Sequence, residues 1–118
     1  MMHELSLRPY HGRLYLAANK TEFEAQYAAL LGKSCVLGRH ERGRFAGCEA
    51  DDGAWTYLVW ASSPHSLAHE LAHVVLHVFD LCGIDPRSGD GGPFCYLLSQ
   101  LLLDAAGVAD AEKREAGG

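Results

Sequence analysis

The pattern of this 118-residue chain predicts an α+β domain: a mostly antiparallel sheet of about four to five strands with three helices. Three observations carry that prediction. Short apolar runs separated by Gly, Pro and Asp fill the first half of the chain, interrupted by one segment with a helix-start signal. A nearly all-round apolar stretch with a cap at each end runs from Ser63 to Gly83. A second apolar helical pattern follows from Pro93 after a loop rich in Gly and Asp. The order is therefore strands, helix, strands, helix, helix, which predicts helices on one side of the sheet.

Leu5 to Leu7 and Arg13 to Ala18 read as two short strands around Pro9-Tyr10-His11-Gly12, a turn signal. Thr21 followed three residues later by Glu24 has the form of a capping box, with the helix running through Tyr27, Leu30 and Leu31 to Gly32. Ser34 to Leu37, Arg44 to Glu49 and Trp55 to Trp60 read as three further strands. The last two form a hairpin, because Asp51-Asp52-Gly53 supplies an Asp-Gly turn. Trp55, Tyr57 and Trp60 on the final strand fit either a core face or a cleft wall. The second helix opens with Ser63 as cap and Pro64 at the first position, and Gly83 stops it after Cys82. Its apolar residues nearly surround it, the mark of a helix buried on most sides. The third helix begins near Pro93 and runs through Leu97, Leu98, Leu101 and Leu102 toward Gly107.

Residues 1–108 are expected to form one domain and 109–118 a frayed, flexible tail of small and charged residues. Hydrophobic residues are 48% of the chain, enough for a core. The net charge of −5 gives no reason to expect nucleic acid or an anionic membrane as a partner. The start lacks a basic region followed by an apolar run, and the apolar stretches are broken by polar residues. The expectation is a cytoplasmic protein without a membrane span. Cys35, Cys48, Cys82 and Cys95 form no Cys-x-x-Cys pair and are expected as buried, reduced thiols. Oligomeric state is left open by the sequence.

The chemistry lies at His69, Glu70 and His73, an HExxH motif inside the second helix. Histidines four apart differ by about 40° around a helix and by about 6 Å along it. Two imidazoles so placed can reach one ion at about 2.1 Å. Glu70, next to His69, is suited to take a proton from water that the metal has acidified. The competing reading makes the two histidines hydrogen-bonded core residues and Glu70 a solvated one. His77 extends the series by a turn, but lies about 12 Å from His69 along the axis, too far for one tetrahedral site. Asp80 is expected to cap the helix end or orient a ligand.

With this motif the chain resembles the zincin metallopeptidases, in particular the branch whose third ligand is a Glu about twenty residues further on. The stretch from Leu67 to Leu102 is similar to small phage and prophage proteins with an HExxH helix, a short Gly/Asp loop and an acidic residue before an apolar helix. The resemblance covers about a third of the chain. It implies a zincin-like fold, zinc at His69 and His73, Glu70 as general base, and a bacterial host cytoplasm. Gly92 stands where the resemblance places the ligand Glu. Asp90, the nearest carboxylate, is the first alternative for the third ligand and Cys95 the second; a two-histidine site is the third. Tyr96, one turn after Gly92, is a candidate donor to an oxyanion, or else a packed ring.

Two functions compete on these residues. One is a zinc hydrolase acting on a peptide or protein. The other is a non-catalytic phage-derived module of the same fold, whose metal site is structural or vestigial and whose surface binds a partner protein.

Overall fold

Four consecutive residues, Tyr57-Leu58-Val59-Trp60, are all buried, and this run decides how the domain is layered. Successive strand residues point to opposite faces, so a strand buried at every position needs a cover on both sides. Tyr57 and Val59 join one core, and Leu58 and Trp60 join the other.

The computed structural model describes residues 2–117, with 112, 113 and 115–117 described by their backbone alone. It is an α+β domain with a four-stranded mixed sheet and three helices. The strands are β1 (His3–Leu5), β2 (Arg13–Leu16), β3 (Gly43–Glu49) and β4 (Trp55–Ala61). Their order in the sheet is β1-β2-β4-β3. The outer pairs β1/β2 and β3/β4 are antiparallel, and the central pair β2/β4 is parallel. The hairpin expected across Asp51-Asp52-Gly53 is present, with Glu49 paired to Trp55. The parallel pair arises because the chain from β2 crosses through a helix and the outer strand β3 before it returns as β4.

Helix α1 (Lys20–Leu31) crosses on one face of the sheet. Its Phe23 is fully buried with Leu37, Leu58 and Trp60. Helices α2 (Pro64–Cys82) and α3 (Gly92–Gly117) pack on the opposite face, over Leu14, Tyr57 and Val59. The expectation of helices on one side is thus corrected. The physical reason is the two-faced burial of β4.

Several local expectations shift. The cap of α1 is Asn19, not Thr21: Asn19 Oδ1 accepts from the Glu22 N–H at 2.8 Å. Glu22 Oε1 in turn accepts from the N–H of Ala18, the residue before the cap, at 3.2 Å, so the two side-chain bonds of this helix start lie two residues earlier than the expected box. Strand β1 lies two residues before the expected Leu5 to Leu7. Ser34 to Leu37 form no strand. The Leu37 N–H donates to Glu24 Oε2 at 3.1 Å, and burial of the Leu37 side chain anchors this loop instead of a ladder.

Helix α2 forms as its sequence dictates. Ser63 Oγ accepts from the Ser66 N–H at 3.2 Å, Pro64 occupies the first turn, and Gly83 closes the helix at φ 70°. Leu71, Val74, Val75, Val78 and Phe79 fill the core between the sheet and α3. Replacing the fully buried Leu71 by Ala is expected to cost about 2–5 kcal/mol, measured by urea unfolding. A cost below about 1 kcal/mol would contradict this packing.

Helix α3 runs antiparallel to α2. Phe94 meets Phe79 near the end of α2 at a ring separation of 6.1 Å, and Leu102, Ala105 and Val108 lie beside Leu67 and Pro64 near its start. The helix continues past Gly107 to Gly117, through residues expected as a frayed tail. Ala, Glu, Lys and Arg dominate that segment and are strong helix formers. Gly118 lies outside the described residues. By length and composition alone, Ser88–Ala111 is long and apolar enough to cross a membrane, against the expectation of none. Its Leu97, Leu101 and Ala105 are buried in the domain core. All four cysteines are free, but Cys82 and Cys95 are exposed and Cys35 and Cys48 only half-buried, which corrects the expectation of buried thiols. Both helical cysteines lie on the outward sides of α2 and α3, and Cys35 lies in a loop.

Candidate metal centre

The site is built where α2 runs beside the outer strand β3. Alternate residues of β3 face successive turns of the helix. A Cβ placed on Gly43 would lie 3.1 Å from Glu70 Cγ and Oε2. Phe45 stacks on His73, with ring centroids 5.1 Å apart and planes within 7°. At Gly47 the facing groups are Tyr57 and Trp55, which both touch His77. Two strand residues advance about 6.6–6.8 Å and one helical turn about 5.4 Å, so the two elements stay nearly in step over this length.

His69 and His73 are both exposed, which removes the reading of core histidines. Glu70 is only 9% exposed and is not the solvated residue of that reading either. The two Nε2 atoms are 3.2 Å apart. An ion about 2.1 Å from each would subtend roughly 100° between them, close to a tetrahedral angle. One ligand atom from each of His69, Glu70 and His73 lies within 4.8 Å of the others. Imidazole nitrogens with a carboxylate oxygen suit a divalent metal of borderline softness. The group can therefore hold a metal ion.

Local packing holds this arrangement. Leu71, Val74, Val75 and Val78 bury the opposite side of the helix, which turns the two imidazoles outward. The stack on Phe45 sets the plane of His73, and His69 meets it edge-on at 4.7 Å. The absence of a side chain at Gly43 admits the Glu70 carboxylate between α2 and β3. Among the described residues no buried side-chain oxygen or nitrogen lacks a partner. Gly43→Ala is therefore expected to displace that carboxylate and cost about 1–3 kcal/mol. Thermal unfolding of the variant checks this, and an unchanged midpoint would show that Glu70 does not fill the space beside Gly43.

The expected helpers from the third helix do not reach the group. Asp90 is exposed in a tight turn (Ser88–Gly91) ahead of α3, at φ 58°. Cys95 is exposed, and Tyr96 is 71% exposed beside Pro9 and Tyr10. The Phe94–Phe79 contact explains this placement. It pins the start of α3 ten residues beyond His69, about 15 Å along α2. The His73 imidazole stacks on Phe45 of β3, whereas the α2 residues that share a core with α3 lie on the buried side of the helix. Asp90, expected as the third ligand, lies outside the group that could hold a metal ion, and Tyr96 stands beside Pro9 and Tyr10. Among the described residues, the group that could hold a metal ion consists of His69, Glu70 and His73. Asp80 is exposed, and its carbonyl rather than its side chain caps the helix by accepting from the Gly83 N–H.

His77 is half-buried and lies outside the group, as its spacing implies. Its Nδ1 lies 2.7 Å from the Tyr57 hydroxyl, and its ring centroid lies 4.5 Å from that of Trp55. Burial, and after it the charge on Cys82, pushes the Tyr57 hydroxyl up to about 12. The Tyr57 hydroxyl and His77 Nδ1 share one hydrogen bond, whose direction follows the imidazole tautomer. Sequence reasoning missed Gly43, Phe45 and Gly47 as site residues. Their signal was a Gly-x-Phe-x-Gly alternation, which puts two glycines and one ring on a single face of a strand.

No family model, curated protein or solved structure matches this chain. The site therefore stands on its own geometry.

Proposed function

We propose that this protein is a zinc-dependent hydrolase of peptide or related amide bonds, with His69 and His73 as ligands and Glu70 as general base. The observation that carries the reading is the 3.2 Å separation of the two Nε2 atoms, with a nearly buried carboxylate in the same group. Bound there, zinc supplies polarisation of a carbonyl and acidification of water. Glu70 then takes up the proton and returns it to the leaving amine. Its position in the polypeptide suits this proton transfer, because the backbone of α2 fixes it next to His69 and the close approach of β3 limits its movement. The exposed imidazoles leave the centre open to a chain as large as a peptide.

The test is metal analysis of purified, metal-replete protein followed by a hydrolysis assay on a library of quenched fluorescent peptides. The expected result is about one zinc per chain and cleavage that depends on it. No zinc in replete protein would sink the reading.

A second reading is favoured by one observation: Asp90 and Cys95 stay outside the group, so two histidines and Glu70 supply all its donors among the described residues. On that reading the same metal is structural or vestigial, and the protein acts by binding a partner protein. Stoichiometric zinc without hydrolysis of any peptide in the library supports it.

A further inference from the structure

One turn beyond His73 along α2, a cavity of about 260 Å³ opens between the helix and the sheet edge. Its walls are Phe45 and Gly47 of β3, Trp55 and Tyr57 of β4, and His77 of α2. Phe45 is shared with the metal centre, because the same ring stacks on His73. The cavity is therefore the immediate neighbour of the ligands. Its volume lies below the roughly 300–1,000 Å³ of pockets that enclose a whole small molecule. That size suits a single side chain.

We propose that this cavity receives an aromatic side chain of the substrate, one residue away from the bond held at His69 and His73. The proposal rests on the metal-centre reading and adds the substrate class to it.

Three features carry it. First, the walls are aromatic: Trp55 and Tyr57 lie side by side, with centroids 6.3 Å apart and planes at 23°. Phe45 completes the wall on the side of the metal ligands, so an entering ring meets π faces and edges. Second, Gly47 keeps the cavity open. A Cβ at that position would lie 3.2 Å from Tyr57 Cδ1 and 3.4 Å from Trp55 Cε3. The backbone of Gly47 has no positive φ, so the glycine serves space and not conformation. Third, two of the polar groups within it, one on Tyr57 and one on His77, are matched to each other. The Tyr57 hydroxyl and His77 Nδ1 are bonded at 2.7 Å, which removes the cost of covering them with an apolar ring. No carboxylate lines the cavity, so a cationic side chain has no counter-charge there.

The experiment titrates N-acetyl-phenylalaninamide, N-acetyl-alaninamide and N-acetyl-lysinamide into the full chain, with and without zinc. The readouts are the Trp55 indole and Gly47 amide resonances in a proton–nitrogen correlation spectrum. The phenylalanine amide is expected to shift both resonances saturably in either metal state, and to bind at least tenfold more tightly than the alanine amide. Gly47→Val is expected to weaken that binding at least tenfold while zinc stoichiometry is unchanged. Gly47→Ala, a milder intrusion, is expected to weaken it severalfold and covers the case in which the valine variant does not fold. Equal binding of the alanine amide, tighter binding of the lysine amide, or indifference to both Gly47 variants would overturn the proposal. Aromatic binding without any zinc uptake would overturn the metal-centre reading instead and leave the cavity as a binding site alone.

Discussion

On the zinc reading proposed above, His73→Ala is expected to abolish stoichiometric zinc binding while the fold persists. His69 and His73 are the two imidazoles of the group, and their nitrogens already stand 3.2 Å apart. Removal of one leaves a single imidazole and the Glu70 carboxylate. The expected loss of affinity exceeds about 100-fold, or roughly 3 kcal/mol at 1.4 kcal/mol per tenfold. His73 is exposed, so its truncation opens no core cavity. Calorimetric titration with zinc reads the affinity, and far-ultraviolet circular dichroism reads the fold. A thermal measurement gives the same answer through linkage. Zinc at a hundred times its dissociation constant stabilises the native state by about 2.7 kcal/mol. For a domain of this size that raises the unfolding midpoint by roughly 10 °C. The rise is expected for the wild-type chain and absent from the variant. A variant that binds zinc as well as the wild type would remove His73 from the ligand set.

On the same reading, Glu70→Gln is expected to keep the metal and remove the hydrolysis. The amide has the shape of the carboxylate, so the packing beside Gly43 is preserved. What it loses is the capacity to accept a proton. General base catalysis of this kind contributes about 10²–10⁴-fold, and the drop in kcat is expected in that range. Zinc stoichiometry and the thermal midpoint are expected to stay near their wild-type values. Loss of zinc in Glu70→Gln would make Glu70 a ligand and leave no base at the site. Unchanged biological activity in a variant that retains zinc would favour the partner-binding reading.

Much of the fold was legible because it follows from local rules. Helix α2 begins at Ser63-Pro64 and ends at Gly83, where a hydroxyl cap, a fixed proline φ and a left-handed glycine act over a few residues. The hairpin across Asp51-Asp52-Gly53 was legible for the same reason. The strand expected at Ser34 to Leu37 failed because β propensity does not supply a partner. There the backbone is held by Glu24 from a helix thirteen residues earlier. The place of Asp90 was not legible for a related reason. Asp90 is near in sequence spacing, but the Phe94–Phe79 contact places its turn at the far end of α2.

The sequence by itself determined the pair of imidazoles. Four residues along a helix bring two side chains onto one face whatever surrounds them, because 3.6 residues make a turn. It also determined the carboxylate next to them. Only the tertiary structure decided which way that face looks and what stands opposite it. Burial of β4 on both sides sent α1 to one face and α2 with α3 to the other. That arrangement set the His73 ring against β3 and left Asp90 and Cys95 outside the group that could hold a metal ion. It also set Gly43, Phe45 and Gly47 against Glu70, His73 and the Trp55–Tyr57–His77 cluster. Such pairings depend on contacts between residues distant in the chain, and no local periodicity encodes them.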